Sequence, residues 1–345
     1  MQNNPLVDIV VLNHNGKKFL DDCFQSIRQT TYSNYEVYLL DNASTDDDIA
    51  YVEQKYPEVK IIKNPLNNGF CAAYNLAFSV TIGKYFICLN NDVKVKPDWL
   101  DHMVEVAESD ENIASIQCKI VSFFDEKQFE YAGSSGGMLD KYGYPFLRGR
   151  VFKSIEDDHG QYDDVATVFW TCGAAMFIRK SVLEVTGNFE DTIVHHMDEI
   201  DLCWRMHMAG YTSKVVPKSV ILHYGGATIQ SYSFKKMYWN HRNSIFMVMK
   251  NYNTYNAITK TFVHVILDYM AAVNSMIQGK FMHAFAIGAA HTWIFLNFFL
   301  ILGKRKKVQA RRTVNDSEIL KLMYPKSVAL QYFVGGKKTY SDLIK

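Results

Sequence analysis

Short apolar runs rich in β-branched and aromatic residues alternate with amphipathic stretches over the first 125 residues. Val7–Leu12, Tyr35–Leu40, Lys60–Ile62, Lys84–Leu89 and Ile113–Val121 read as strands. Phe19–Thr30 carries apolar residues at helical spacing, Asp46–Lys55 follows an Asn/Ser/Thr/Asp cap cluster, and Gly69–Thr81 and Asp98–Ser109 complete a set of predicted helices. Strand–helix alternation at this spacing predicts βαβ units and a mostly parallel sheet.

The pattern then changes twice. Residues 126–165 are irregular, with glycines punctuating aromatics, and predict loops or hairpins over a cleft. A strand-like run follows at Ala166–Ile178, then an acidic helix near Met197–Tyr211, then strand signals at Ser213–Val216 and Ser219–His223. From about Ser233 the chain turns helical and apolar. Phe234–Lys250 has a helical pattern, Ile258–Ile277 is largely apolar, and Phe281–Leu302 holds 22 positions without a charge before the basic run Lys304–Lys307 and Arg311-Arg312.

Composition narrows the function. A length of 345 residues with 48% hydrophobic content suits one large domain plus an extension. A net charge of +1 gives no nucleic-acid footprint. The six cysteines are scattered, mostly inside apolar runs, and predict buried thiols of a reducing compartment. The N-terminal MQNNPLVDIVVLNHNG lacks a basic n-region and a long apolar core, so the expected location of the N-terminal part is the cytosol.

The predicted strands end on polar clusters: Asn13-His14-Asn15-Gly16, Asp41-Asn42-Ala43-Ser44 and Asn90-Asn91-Asp92. Asn and Asp are ordinary turn residues, so each cluster alone also reads as a loop cap. Open α/β sheets bind ligands outside the carboxyl ends of their strands, where all three clusters would share one rim.

Five stretches in order, LLDNASTD, NNGFCAAYN, CLNNDV, MDEIDLCWRMHMAGY and VILHYGG, resemble the family-2 inverting glycosyltransferases of GT-A fold, most closely the rhamnosyltransferase-like branch. The resemblance spans roughly residues 5–250. It implies a Rossmann-like nucleotide-binding, mixed and mainly parallel sheet flanked by helices, with a C-terminal apolar helical extension. It also implies a nucleotide-sugar donor and a divalent metal (Mg or Mn) as cofactor. Asn90-Asn91-Asp92 stands at the family's DxD position, which makes Asp92 a metal ligand and leaves Asn90 to ribose or a metal-bound water. His223 matches a further metal ligand, although a lone histidine is as easily a packed one. Asp41 matches the acceptor of a pyrimidine N3–H, selecting uracil or thymine; its alternative is an Asx-turn before Ser44. Asn13, Asn15, Asn42, Gly69, Asn75 and Asn91 are the remaining implied donor-binding residues.

The acidic helix carries the catalytic carboxylate in this resemblance. The family position maps to Glu199, with Asp198 as the other candidate base. Asp198 also reads as an N-cap with Asp201 in a capping-box-like pattern. Glu199 and Asp201 stand about 200° apart on a helix, so they cannot both face a cleft. Trp170 and Gly173 are candidates for packing on the acceptor sugar, with an ordinary core aromatic as the alternative for Trp170.

The predicted division is a catalytic domain in residues 1–232, with a nucleotide-sugar half (1–125) and an acceptor half (126–232), and a helical extension in 233–345. Around 258–312 the extension is expected to form a hairpin of two apolar helices lying in one membrane leaflet, its basic run on anionic headgroups. The alternative packs these helices on the catalytic domain or on a second copy in a homodimer. The expected enzyme moves a sugar from a UDP- or dTDP-sugar, dTDP-rhamnose if the branch resemblance holds, to a glycan or polyprenyl-linked acceptor on the cytoplasmic face of a membrane, in cell-surface polysaccharide synthesis. Two rivals remain at this stage: a sugar nucleotidyltransferase, for which NHNGKKF is a poor triphosphate loop, and a non-catalytic relative, which Asn90 favours.

Overall fold

Each apolar run of the first 125 residues becomes a regular element in the computed structural model, which describes residues 4–225 and 233–345. The elements are β1 (Val7–Asn13), α1 (Lys17–Ile27), β2 (Tyr35–Asn42), α2 (Asp48–Lys55), β3 (Lys60–Asn64), α3 (Phe70–Val80), β4 (Tyr85–Asn90), β5 (Val93–Val95), α4 (Trp99–Ser109) and β6 (Ile113–Ser122). The middle of the chain adds β7 (Gly137–Leu139), β8 (Pro145–Leu147), β9 (Arg150–Val151), β10 (Ser154–Ile155), β11 (Ala166–Val168), β12 (Ala175–Arg179), α5 (Ser181–Thr186), α6 (Asp198–Met208) and β13 (Thr212–His223). Then come α7 (Phe234–Asn251), α8 (Thr254–Ile277), α9 (Phe281–Leu296) and α10 (Phe298–Gln309), with three short α-helices and one 3-10 turn (Leu320–Leu322) behind them.

Nine strands form one sheet in the order β11-β13-β6-β12-β4-β1-β2-β3, with β5 paired to β13. β1 lies parallel to β2 and β4, β2 to β3, and β6 to β13; β12 runs antiparallel between β4 and β6. β1–β4, β6 and β13 therefore point one way, and their carboxyl ends share a rim. The chain runs outward from β1 through β2 to β3, then returns to β4 on the other flank of β1. That reversal opens a crevice beyond the ends of β1 and β4. Both faces of the sheet are covered, so Val7, Ile9, Val10 and Val11 are all fully buried and β1 shows no polar alternation.

Two strand expectations are corrected. Ala166–Ile178 is not one strand: it breaks between β11 and β12, where the backbone N–H groups of Phe169 and Trp170 turn to donate to Gly137 O. Ser213–Val216 and Ser219–His223 are one strand, β13, whose register against β6 slips between Val216 and Val220, over Pro217, which has no N–H for the ladder. Residues 126–165 hold a small sheet in the order β10-β9-β8-β7.

The core runs on into the C-terminal helices. Ile245, Phe246, Met247 and Val248 of α7 are consecutive and at most 1% exposed, so this stretch of α7 is buried all round, at about 1.5–3 kcal/mol per large side chain. Asp268 on α8 joins three helices: it accepts from His241 of α7 (2.9 Å), His291 of α9 (3.0 Å) and the Tyr144 hydroxyl (3.1 Å). Phe281–Leu302 is not one helix. Asn297 separates α9 from α10, which bend by 71°, and its side-chain amide donates to Trp293 O in competition with the helical ladder. The basic run is also partly turned inward: Lys304 pairs with Glu190 (2.6 Å), Arg305 donates to Met249 O (2.7 Å), and Arg312 pairs with Asp316 (2.8 Å), leaving Lys306, Lys307 and Arg311 exposed.

Candidate active site at the strand ends

The register of the sheet sets Asn13 beside Asp41 and Leu12 beside Asn90, so the three polar clusters do meet at one rim. Much of their polarity is directed at one another. Asn13 is buried; its Nδ2 donates to Asp48 (2.6 Å) and its Oδ1 accepts from Asn91 (2.6 Å), tying β1 to α2 and to the end of β4. Asn15 is left-handed (φ 52°), and its Oδ1 accepts from Thr45 N at 2.8 Å. Asn42 donates to Asn67 (2.9 Å) and accepts from Asn64 (2.7 Å). Asp41 makes the Asx contact, Oδ1 accepting from Ser44 N at 3.3 Å; among the described residues its Oδ2 carries no hydrogen bond. Gly16 N donates to Asp48, so the loop after β1 closes on a carboxylate, and Lys17 just behind it pairs with Asp47.

Two donor-side expectations land elsewhere. Asn75 does not reach the rim group: its amide brackets Phe189, donating to Phe189 O (3.0 Å) and accepting from Phe189 N (3.0 Å), and it donates to Asp191 (2.7 Å). Gly69 is held by packing and conformation. It is left-handed (φ 98°), and a Cβ there would stand 2.7 Å from Val194 O.

The centre of the rim is built by β4, β5 and β13. β5 pairs antiparallel with β13 so that His223 faces Val93, and Tyr224 N donates to Asp92 O at 3.0 Å. This register brings His223 Nε2 to 3.1 Å from Asp92 Oδ1 and 3.4 Å from Asn90 Nδ2. On the other edge of the ring, Nδ1 lies 3.1 Å from Glu130 Oε2, within ion-pair range but off the line of a hydrogen bond. Burial alone would lower the imidazole pKa, yet the two carboxylates hold it up at about 10. Glu130 escaped sequence reasoning because it sits in the irregular stretch before β7, with no period or motif around it. Among the described residues no three His, Cys, Asp or Glu side chains converge as a complete metal cage.

α6 begins at the same rim. Its N-cap is Met197 in the left-handed region (φ 66°), so Asp198 is the first helical residue and makes no capping bond, contrary to the capping-box expectation. Asp198 is buried, and burial together with the adjacent Glu199 carboxylate raises its pKa well above the carboxylate range. Glu199 is half-exposed. Asp201 points the other way, fully buried, accepting from Lys250 (2.8 Å), Arg205 (2.9 Å) and Asn251 (2.9 Å). Trp170 is a core residue, 3% exposed, with its Nε1 donating to Met138 O and its ring filling the space a Gly137 side chain would need; it offers no face to an acceptor sugar. Gly173 is buried beside Phe70, where a Cβ would come within 3.0 Å of the ring. All six cysteines are buried and free.

Comparison with known proteins adds a family. The model "Glycosyl transferase family 2" matches residues 8–186. An uncharacterized glycosyltransferase of Haemophilus influenzae is 28% identical over 158 residues, 45% of this chain and 49% of that protein, so the chain spans about half of it. An N-acetylglucosaminyl-diphospho-decaprenol L-rhamnosyltransferase of Mycobacterium tuberculosis is 22% identical over 64% of this chain and 76% of its own. Among solved structures, GalNAc-T7 with UDP, GalNAc and Mn2+ aligns with a TM-score of 0.56 at 16% identity, covering 72% of this chain and 49% of that one. That likeness is one of fold, and the fold is GT-A.

Proposed function

The chain belongs to glycosyl transferase family 2, and from that membership we propose that it transfers a sugar, with inversion, from a UDP- or dTDP-linked donor to a glycan or polyprenyl-linked acceptor in polysaccharide synthesis, with a divalent cation (Mg or Mn) as cofactor. The relatives named as rhamnosyltransferases make dTDP-rhamnose the first donor to test.

One observation carries the metal-dependent reading. Two donor atoms that share an octahedral ion as neighbours stand about 3 Å apart when each bond is about 2.1 Å. Asp92 Oδ1 and His223 Nε2 are 3.1 Å apart, at the carboxyl ends of strands where a diphosphate would lie. Asp92 and His223 would hold the ion, with Asn90 beside them and Glu130 behind the ring, the usual carboxylate support of a ligating histidine. A bound cation would supply charge neutralisation for the diphosphate as it leaves.

The chain's own residues do the rest. Asp41 Oδ2 accepts the pyrimidine N3–H. Glu199 takes the proton of the acceptor hydroxyl as that oxygen attacks the anomeric carbon from the face opposite the diphosphate. Burial and the adjacent Glu199 carboxylate push the Asp198 pKa upward, and Asp198 hydrogen-bonds to Glu199. That leaves Glu199 as the base and Asp198 as its support.

The acceptor reading draws on the C-terminal helices. Ile258, Phe262 and Ile277 on α8, Phe285 on α9 and Phe299 on α10 are 66–84% exposed, an apolar surface of the kind that meets a membrane. Among the described residues no single helix is long and apolar enough to cross a bilayer, although the bent α9–α10 pair passes that test together. We place the enzyme on the cytoplasmic face, with these helices in one leaflet. The test incubates the full chain with labelled UDP- and dTDP-sugars and either polyprenyl-diphosphate-linked or free sugars, with Mn2+ or with excess chelator. Transfer from one pyrimidine donor, abolished by chelator, is expected. No transfer from any pyrimidine donor would overturn the reading, and full activity in chelator would overturn its metal part.

A further inference from the structure

α7 reaches into the segment that delivers the acidic helix. Asn243 of α7 is fully buried, and its one amide group meets two successive carbonyls: Nδ2 donates to His195 O (2.7 Å) and to His196 O (2.9 Å). A side-chain amide has two hydrogens to give, and both are used here. Its Oδ1 accepts from Arg242 Nε at 2.7 Å, and Arg242 Nη2 donates to Thr192 O at 2.9 Å. The Arg242 guanidinium also lies 4.8 Å from the centroid of the Trp293 ring on α9. Two adjacent residues of α7 thus grip the carbonyls of Thr192, His195 and His196.

What they grip is an unfavourable turn. His196 (φ 64°) and Met197 (φ 66°) are both left-handed, and neither is glycine. A side-chain-bearing residue seldom adopts that backbone, and two in succession persist only where the surroundings hold them. Asp198 and Glu199 come next, and Asp201 N closes the first turn of α6 on Met197 O at 2.9 Å. The direction in which α6 starts is therefore set by this turn.

We propose that Asn243 is a positioning residue: its two amide hydrogens hold the left-handed turn at His196 and Met197, and so fix where α6 presents Glu199 to an acceptor hydroxyl. The inference rests on the transferase reading, in which Glu199 is the base. A misplacement of about 1 Å in a reacting group can cost about 100-fold in rate. The strand-end clusters of β1, β2 and β4 lie outside this hold, so loss of Asn243 should separate turnover from nucleotide binding.

The test uses the full-length protein and two readouts. One is transfer from dTDP-rhamnose and from UDP-sugars, with dTDP and UDP affinity measured beside it by calorimetry. The other needs no turnover: hydrogen exchange at the Asp201 amide, compared with the amides of β1. Asn243→Leu keeps the volume and removes the donors. It should lower kcat by about 10–100-fold, leave nucleotide affinity within about two-fold of wild type, and speed Asp201 exchange relative to β1 by roughly 10-fold or more, the worth of about two hydrogen bonds. His196→Val opposes the left-handed backbone without touching the amide and should reproduce these losses, whereas His196→Asn, which tolerates that backbone, should lose less. This pair decides the matter where Asn243→Leu fails to fold. Met197→Gly adopts the turn freely and should return part of the lost kcat when combined with Asn243→Leu. Unchanged kcat or unchanged Asp201 exchange in folded Asn243→Leu would overturn the proposal, as would equal losses in His196→Val and His196→Asn. A wild type that transfers nothing from any pyrimidine donor would refute the transferase reading, and the exchange comparison would still decide whether Asn243 holds the turn.

Discussion

Asp201→Asn should unfold the enzyme more readily while sparing its chemistry. Asp201 is fully buried and accepts from Lys250, Arg205 and Asn251. Burial pushes its pKa up, but Lys250 and then Arg205 outweigh that and hold it below the usual carboxylate range. The two cations depend on it unequally. Arg205 also donates to the carbonyls of Thr186, Gly187 and Asn188, whereas fully buried Lys250 would keep only Glu190, at 3.4 Å. Removing one partner of a buried ion pair costs about 3–5 kcal/mol, because the other charge stays behind without water. Urea unfolding followed by tryptophan fluorescence should show that loss as a lower midpoint at constant slope. Lys250→Met should cost a comparable amount. The double variant should fall short of the summed losses by about 1–3 kcal/mol, since its second change removes the stranded charge. Transfer per folded molecule should stay within a few-fold of wild type. Strict additivity, or a loss under about 1 kcal/mol for Asp201→Asn, would show that this triad does not carry the load assigned to it.

Glu199→Gln should lower transfer by roughly 10²–10⁴-fold with nucleotide affinity retained, the usual worth of a general base; wild-type turnover in this variant would move the role to Asp198. Asp92→Ala should abolish the Mn2+-dependent part of nucleotide binding, and Glu130→Gln should weaken Mn2+ affinity by about 10–100-fold, read by paramagnetic resonance of free Mn2+. Glu190 bridges Lys250 and Lys304; burial raises its pKa, but these lysines bring it down to about 2 from 4.5. A depressed carboxylate stabilises the fold above its unfolded pKa and loses that contribution as pH falls toward its folded one, so the stability gap between wild type and Glu190→Gln should narrow below pH 4.5 by up to about 3 kcal/mol. Full-length protein should sediment with liposomes and resist release by high salt, because apolar burial rather than charge would hold α8–α10 there; quantitative recovery in the supernatant would contradict that.

Local pattern carried the nucleotide half of the fold well. Its central strands β1 and β4 are short apolar runs buried on both faces, and its helices begin at turn residues, so period and punctuation suffice. Elsewhere the deciding forces were tertiary. Trp170 reads as an aromatic beside a glycine turn, but the bare backbone of Gly137 gives its ring a slot in the core. Asn75 sits in a donor-like motif, yet the backbone of Phe189, more than a hundred residues away, takes its amide. Asp198 fits a capping pattern, but left-handed Met197 takes the cap position and moves the carboxylate one step into the helix. Glu130 carries no signal at all in one dimension. It reaches His223 because its backbone folds back on β6, Glu130 N donating to Ile120 O at 3.1 Å.

The pairing of β5 with β13 also sets an order of events during synthesis. Asp92 and His223 are 131 residues apart, so at roughly 5–20 residues per second a ribosome delivers the histidine about 7–26 s after the aspartate. Until then β6 has β12 on one side but lacks β13 on the other, and the rim has one carboxylate without its imidazole. The exposed apolar helices emerge later still. A nascent chain therefore can complete its sheet before it presents the exposed apolar faces of α8–α10, so those faces leave the ribosome beside a sheet already able to fold.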